Sequence, residues 1–173
     1  LIVVAGWLGC ASPPPETEVG APPIVGVKVY ETDRDLPELF EEWADLGVNT
    51  VFASRSLASV DGFRETAQQT GIGVFVIFPV FFAPDELAAD PELWSRTADG
   101  ARAKEDWVAF ACPSRSGFRL RRIEEAREIV GELRPTGLSI DFIRHFVYWE
   151  AVDPERDPAT LPNACFCPRC MAA

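Results

Sequence analysis

The stretch "GVFVIFPVFF", residues 73 to 82, is the feature that most narrows the fold. Ten nearly unbroken apolar residues are too short and too β-rich for a helix. A strand can carry them only if both of its faces are covered, as in a parallel sheet layered with helices. Pro79 cannot donate to a ladder, so it should mark where this strand leaves the sheet.

The flanking segments repeat that logic. "IVGVKVY" (24 to 30) is β-branched and lies between Pro22-Pro23 and the polar "ETDRD", so it reads as a first strand. Asp35 with Glu38 three residues on resembles a capping box. Leu36, Leu39, Phe40, Trp43 and Leu46 follow at helical spacing until Gly47. "NTVFAS" (49 to 54) is a second strand and "DGFRETAQQTG" (61 to 71) a second helix. Residues 83 to 115 show little periodicity. Beyond them Leu120, Ile123, Ala126, Val130 and Leu133 trace one face of a long helix, with Ser116 as its expected cap. "GLSIDFIRHF" (137 to 146) is a fourth strand.

Alternating strands and helices predict an α/β fold with a parallel sheet and right-handed crossovers. Neither G-x-G-x-x-G nor a Walker A loop is present, which removes the strongest argument for an open dinucleotide-binding sheet. The alternative is a partial (β/α)8 TIM barrel containing about the first four βα units, since a complete barrel takes about 250 residues and this chain has 173. On that expectation residues 24–173 form an incomplete barrel that ends without a closing helix.

The first nine residues, "LIVVAGWLG", are uncharged and abut Cys10, and the Pro-rich "ASPPPETEVGAPP" comes next. Residues 1–9 resemble the end of a secretory signal whose lipobox precedes a lipidated Cys10, with 10–23 as an extended linker. The expected location is extracytoplasmic, lipid-anchored to a bacterial cell envelope in the periplasm or outer membrane, so the membrane is a partner through the anchor. A net charge of −11 excludes nucleic acid as a natural partner.

Asp141 is the principal chemical candidate. A carboxylate among Leu138, Ile140, Phe142 and Ile143 needs pairing or solvent. Strand alternation places Ser139, Asp141 and Ile143 opposite Leu138, Ile140 and Phe142, so in a barrel Asp141 points inward near the carboxyl end, where catalytic groups of this fold lie. Arg144 is close enough in sequence to pair with it, and a buried structural Asp–Arg pair is the plainer reading. Lys28 and Tyr30 share the inward parity of the first strand, and an inward lysine needs a partner or ligand. Glu150, beside Tyr148 and Trp149, is the best second carboxylate, although a solvated loop glutamate explains it equally well. His145, the one histidine, suits a sugar hydroxyl or a structural bond. Phe81, Phe82, Tyr148 and Trp149 offer faces for stacking on pyranose rings or simply for core packing.

Cys165, Cys167 and Cys170 in "CFCPRC" have the C-P-x-C spacing of a zinc knuckle, and Cys112 is available as a fourth ligand. Export favours disulfides instead. Three cysteines within six residues pair poorly among themselves, so a structural Zn site is expected, with no cofactor for catalysis.

"PTGLSIDFIRHFVYWE" followed by "CFCPRC", with "ACPSRSGFRLRRIEEAREIV" before them, resembles uncharacterised bacterial glycoside-hydrolase-like families of the TIM-barrel class, related to the α-amylase superfamily. The resemblance covers about residues 24 to 173, the amino-terminal half of such a barrel. Thr136-Gly137 replaces the commoner Asp-Gly of the pattern. The resemblance implies hydrolysis of an extracytoplasmic glycan, an oligo- or polysaccharide, with Asp141 as nucleophile or essential carboxylate and Arg144 as its partner. Trp149 and His145 would then contact sugar. Glycosidases ordinarily use two carboxylates, and the second would come from a later strand, leaving this chain inactive alone. The alternative is a non-catalytic carbohydrate-binding or cell-envelope scaffold lipoprotein. A catalytic zinc hydrolase is disfavoured by the single histidine.

Overall fold

The computed structural model describes residues 23–105, 108–143, 155, 157 and 163–172. Its centre is a parallel sheet of β1 (Gly26–Val29), β2 (Thr50–Ala53), β3 (Gly73–Pro79) and β6 (Gly137–Asp141), in the spatial order β1-β2-β3-β6. Each new strand joins on the same side of the last, with no reversal. A doubly wound sheet reverses its order at a switch point, whereas a barrel does not.

The helices agree with single winding. α1 (Leu36–Asp45), α2 (Arg55–Ala58), α3 (Phe63–Thr70) and α5 (Ser116–Leu133) all contribute to one core. Leu39, Phe40, Trp43, Leu57, Phe63, Ala67 and Ile129 pack on Val51, Ala53, Val74, Val76 and Phe78. Phe40 is wholly buried, with edge-on rings of Trp43 at 4.9 Å and Phe63 at 5.1 Å. Among the described residues the sheet has four strands and its edge strands, β1 and β6, do not pair with each other.

The opposite face curls inward. Lys28, Phe52, Phe75 and Gly137 form one register row, and Asp141 lies four residues farther along β6. On a flat sheet Lys28 and Asp141 would be separated by about 14 Å across three strand spacings and about 13 Å along the strand. Side chains standing upright on such a sheet could not meet, yet Lys28 Nζ is 3.2 Å from Asp141 Oδ2. The sheet is therefore concave toward this side, consistent with part of a TIM barrel. The glycines make room for the curl: a Cβ on Gly26 would lie 2.7 Å from the Phe52 ring, and one on Gly137 2.7 Å from the Phe75 ring.

Local signals operate as expected at several ends. Asp35 accepts a hydrogen bond from the Glu38 amide at 3.2 Å, and Gly71 closes α3 in the left-handed conformation at φ 72°. Two expectations need correction. Ser116 is the first residue of α5 and caps nothing; Arg115 occupies the cap position without a side-chain bond. On α5 only Ala126 and Leu133 of the expected stripe pack inward, while Leu120, Ile123 and Val130 are exposed. The true inner face runs through Phe118, Arg122, Glu125, Ala126 and Ile129. Hydrophobic periodicity misses it because Arg122 is held largely out of solvent there by specific bonds: it donates to the Pro79 carbonyl, pairs with Glu125 and covers the Phe78 ring at 4.6 Å.

Residues 83–115 fold into a satellite layer. α4 (Pro84–Ala89), a short 3-10 turn (Pro91–Leu93) and the hairpin β4 (Lys104–Glu105) and β5 (Val108–Ala109) gather Leu87, Leu93, Trp94 and Ala111 against Phe118. The last short helix, α6 (Pro168–Met171), belongs to the cysteine segment. Among the described residues no helix is long and apolar enough to cross a membrane.

Candidate functional site

The carboxyl ends of the four parallel strands converge on one cavity of about 800 Å³. Tyr30 follows β1, Ser54 follows β2, Pro79 ends β3 and Asp141 ends β6, and all four line it together with Phe82 and Phe142. Side-chain alternation along short strands sets which groups face it. Ser54 is additionally fixed by donating to the Tyr30 carbonyl at 2.5 Å and capping α2 through the Leu57 amide at 3.1 Å.

Asp141 is held at both oxygens. Oδ2 meets Lys28 Nζ at 3.2 Å, and Oδ1 accepts from the Phe142 amide at 2.8 Å. Its side chain remains 33% exposed, so solvent or a ligand reaches it. This resolves how an aspartate fits an apolar strand: it lies at the open end, on the concave face, opposite a cation. Tyr30 beside the ammonium, opposed by partial desolvation and reinforced by Asp141, raises the Lys28 pKa above its usual 10.5. Lys28 therefore stays charged through the neutral range, with its Nζ 5.3 Å from the Tyr30 ring centroid. The first and fourth strands thus supply each other's partner, a pairing that sequence parity suggests for neither residue individually.

Phe142 departs from strand alternation. At φ 50° it follows the last residue of β6, and it packs against the cluster of Ala103, Val108, Phe110 and Ala164, not under the helices. Its ring also stacks on Phe82, with centroids 4.8 Å apart. Ile143 is 62% exposed. Three more carboxylates line the cavity that sequence reasoning passed over. Glu125 is bound by Arg122 and Arg55, Glu86 by Arg121 at 2.7 Å, and Asp85 is exposed at the start of α4. The expected contributors Arg144, His145, Tyr148, Trp149 and Glu150, together with Cys10, lie outside the described residues.

The second constellation is compact. The Sγ atoms of Cys112, Cys165, Cys167 and Cys170 all lie within 4.8 Å of one another, and Cys112 is 3.6 Å from each of the other three. A disulfide requires about 2.05 Å. Four sulfurs on a tetrahedral metal with bonds of about 2.3 Å stand about 3.8 Å apart, close to what is seen. The turn of α6 carries Cys167 and Cys170 to the same side, and the Arg96 amide donates to Cys165 Sγ at 3.4 Å. Burial pushes the Cys112, Cys165 and Cys170 thiols up. Cys167 feels the same desolvation, but the Cys170 amide and the surrounding thiols bring it down to about 6. The cluster could hold a metal ion, and it brings Cys165, Cys167 and Cys170, read from their spacing, together with Cys112, the available fourth.

No protein-family model matches the chain, and no curated protein sequence matches it significantly. In structure it is similar to a hypothetical protein from Ruminiclostridium thermocellum, at 19% identity and TM-score 0.51, covering 62% of this chain and 70% of that one. It is also similar to a noncanonic maltogenic α-amylase from Thermotoga neapolitana, at 15% identity and TM-score 0.54, covering 70% of this chain and 39% of that one. A polyextremophilic β-galactosidase from the Antarctic haloarchaeon Halorubrum lacusprofundi aligns at 14% identity and TM-score 0.55, covering 68% of this chain and 21% of that one. At these identities the likeness is one of fold: an α/β architecture that covers part of two glycoside hydrolases. The chain spans well under half the length of either glycoside hydrolase.

Proposed function

We propose that the chain is the amino-terminal half of a (β/α)8 glycoside-hydrolase-like barrel that acts on an extracytoplasmic glycan, with Asp141 as nucleophile or base. The observation that carries this reading is the position of Asp141 at the end of β6, facing an 800 Å³ cavity and salt-bridged across the concave sheet to Lys28. A carboxylate held by one ammonium and one amide is aimed without being enclosed. It can attack an anomeric carbon or take a proton from water, while Lys28 steadies negative charge beside it. Phe82 and Tyr30 present apolar faces suited to a sugar ring. A second carboxylate is required for glycoside cleavage, and Asp85 and Glu150 are the candidates on this chain.

The cysteine cluster is read as a closed structural zinc site, supported by sulfur spacings near those of a tetrahedron. Zinc there would supply no catalysis. Export on a lipidated Cys10 rests on the signal-like residues before it.

The test is a panel of aryl glycosides and polysaccharides given to the complete protein and its Asp141→Asn variant. A loss of about 10²- to 10⁴-fold in kcat is expected on the substrate that is cleaved. Equal activity in both proteins would remove Asp141 from catalysis. Glycan binding without turnover in either would favour the carbohydrate-binding alternative.

A further inference from the structure

The thiol cluster and Asp141 are joined by a short, continuous path. Beyond the end of the sheet ladder, the Val80 amide donates to the Asp141 carbonyl at 2.8 Å and the Phe81 amide to the Phe142 carbonyl at 3.2 Å. The Ala111 amide then donates to the Phe81 carbonyl at 2.8 Å, and the next residue is Cys112. Side chains follow the same route: Phe142 packs against the cluster of Phe110, Val108, Ala103 and Ala164, and Cys165 packs against the same cluster. Phe142 is held at φ 50°, a conformation that a β-carbon disfavours and that persists only where surrounding contacts impose it. Its amide is the one bonded to Asp141 Oδ1.

The geometry points to Phe142 as the positioning residue for Asp141, locked in its left-handed turn when a metal fills the Cys112–Cys165–Cys167–Cys170 site. Drawing the four sulfurs onto one ion fixes Cys165, and with it Ala164, in the cluster of Ala103, Val108 and Phe110 against which the Phe142 ring packs. With the ring pinned, the backbone cannot relax to an extended conformation, and the amide stays on the carboxylate. The coupling works through one turn switching between two arrangements, the left-handed one seen here with the Phe142 amide on Asp141 and an extended one in which that amide is released. This inference rests on the metal reading of the cluster and not on the identity of the glycan.

The experiment uses the full chain, reduced, in cobalt-loaded and metal-stripped forms, with Phe142→Ala and Phe142→Leu variants. Cobalt–thiolate absorption reports the site, and amide hydrogen exchange reports the turn. Stripping the metal should accelerate exchange at Phe142, Phe81 and Val80 at least about tenfold while Leu39 and Phe40 in α1 keep their protection. Loaded Phe142→Ala should retain the cobalt spectrum yet exchange like the stripped protein, and Phe142→Leu should restore most of the protection. Absence of a cobalt–thiolate spectrum would overturn the metal reading and this inference with it. A normal spectrum with unchanged exchange at Phe142 on stripping, or full protection in Phe142→Ala, would overturn this inference alone.

Discussion

Replacing Lys28 by Met and Asp141 by Asn, singly and together, measures whether the sheet curls as described. The ion pair is 3.2 Å long, with side-chain exposures of 51% and 33%. Coulomb's law gives about 1.3 kcal/mol for that separation in a water-like dielectric and about 5 kcal/mol at an effective constant of 20. Such exposure puts the pair near the lower figure, and the cost of ordering a lysine reduces it further. A coupling of about 0.5 kcal/mol is expected, inside the range for exposed pairs. Urea unfolding of the four proteins gives it as the non-additive part of the double-mutant cycle. Coupling should shrink in 1 M salt, where the screening length is about 3 Å. Folding raises the Lys28 pKa above 10.5, so the contribution is complete below that unfolded value and disappears as pH rises through the folded one. It should be level between about pH 7 and 9 and decline above the unfolded value. Strict additivity at low salt would mean that the first and fourth strands do not approach each other, and the concave sheet would have to be abandoned.

Other perturbations test different parts of the molecule. Phe40→Ala removes a wholly buried ring flanked by Trp43 and Phe63 and should cost about 3–5 kcal/mol in denaturant unfolding; a loss below 1 kcal/mol would contradict the packing. Arg122→Ala strands the Pro79 carbonyl and leaves Glu125 to Arg55 alone and should cost about 1–3 kcal/mol. Arg122→Lys should recover little, because one ammonium cannot reproduce the fork. Gly137→Ala drives a methyl to 2.7 Å from the Phe75 ring, so a loss of about 1–3 kcal/mol is expected from overpacking; unchanged stability would show that the ring yields freely.

Much of this molecule is legible locally. Apolar alternation, the Asp35 cap, the left-handed Gly71 and the strand exit at Pro79 are each decided within a few residues, which is why the succession of strands and helices reads directly from sequence. The C-P-x-C spacing is equally local, since one helical turn brings Cys167 and Cys170 together. The inner face of α5 was not legible, because a partly buried arginine looks like a surface residue until the carbonyl and glutamate that hold it are known.

Tertiary structure alone decided three things: that α1, α2, α3 and α5 all cover one side of the sheet, that Cys112 completes the sulfur cluster, and that Lys28 meets Asp141 across 113 positions of chain. Each depends on curvature and winding accumulated over whole βα units. Periodicity reports which side a residue faces but carries no information about how far the sheet bends toward that side.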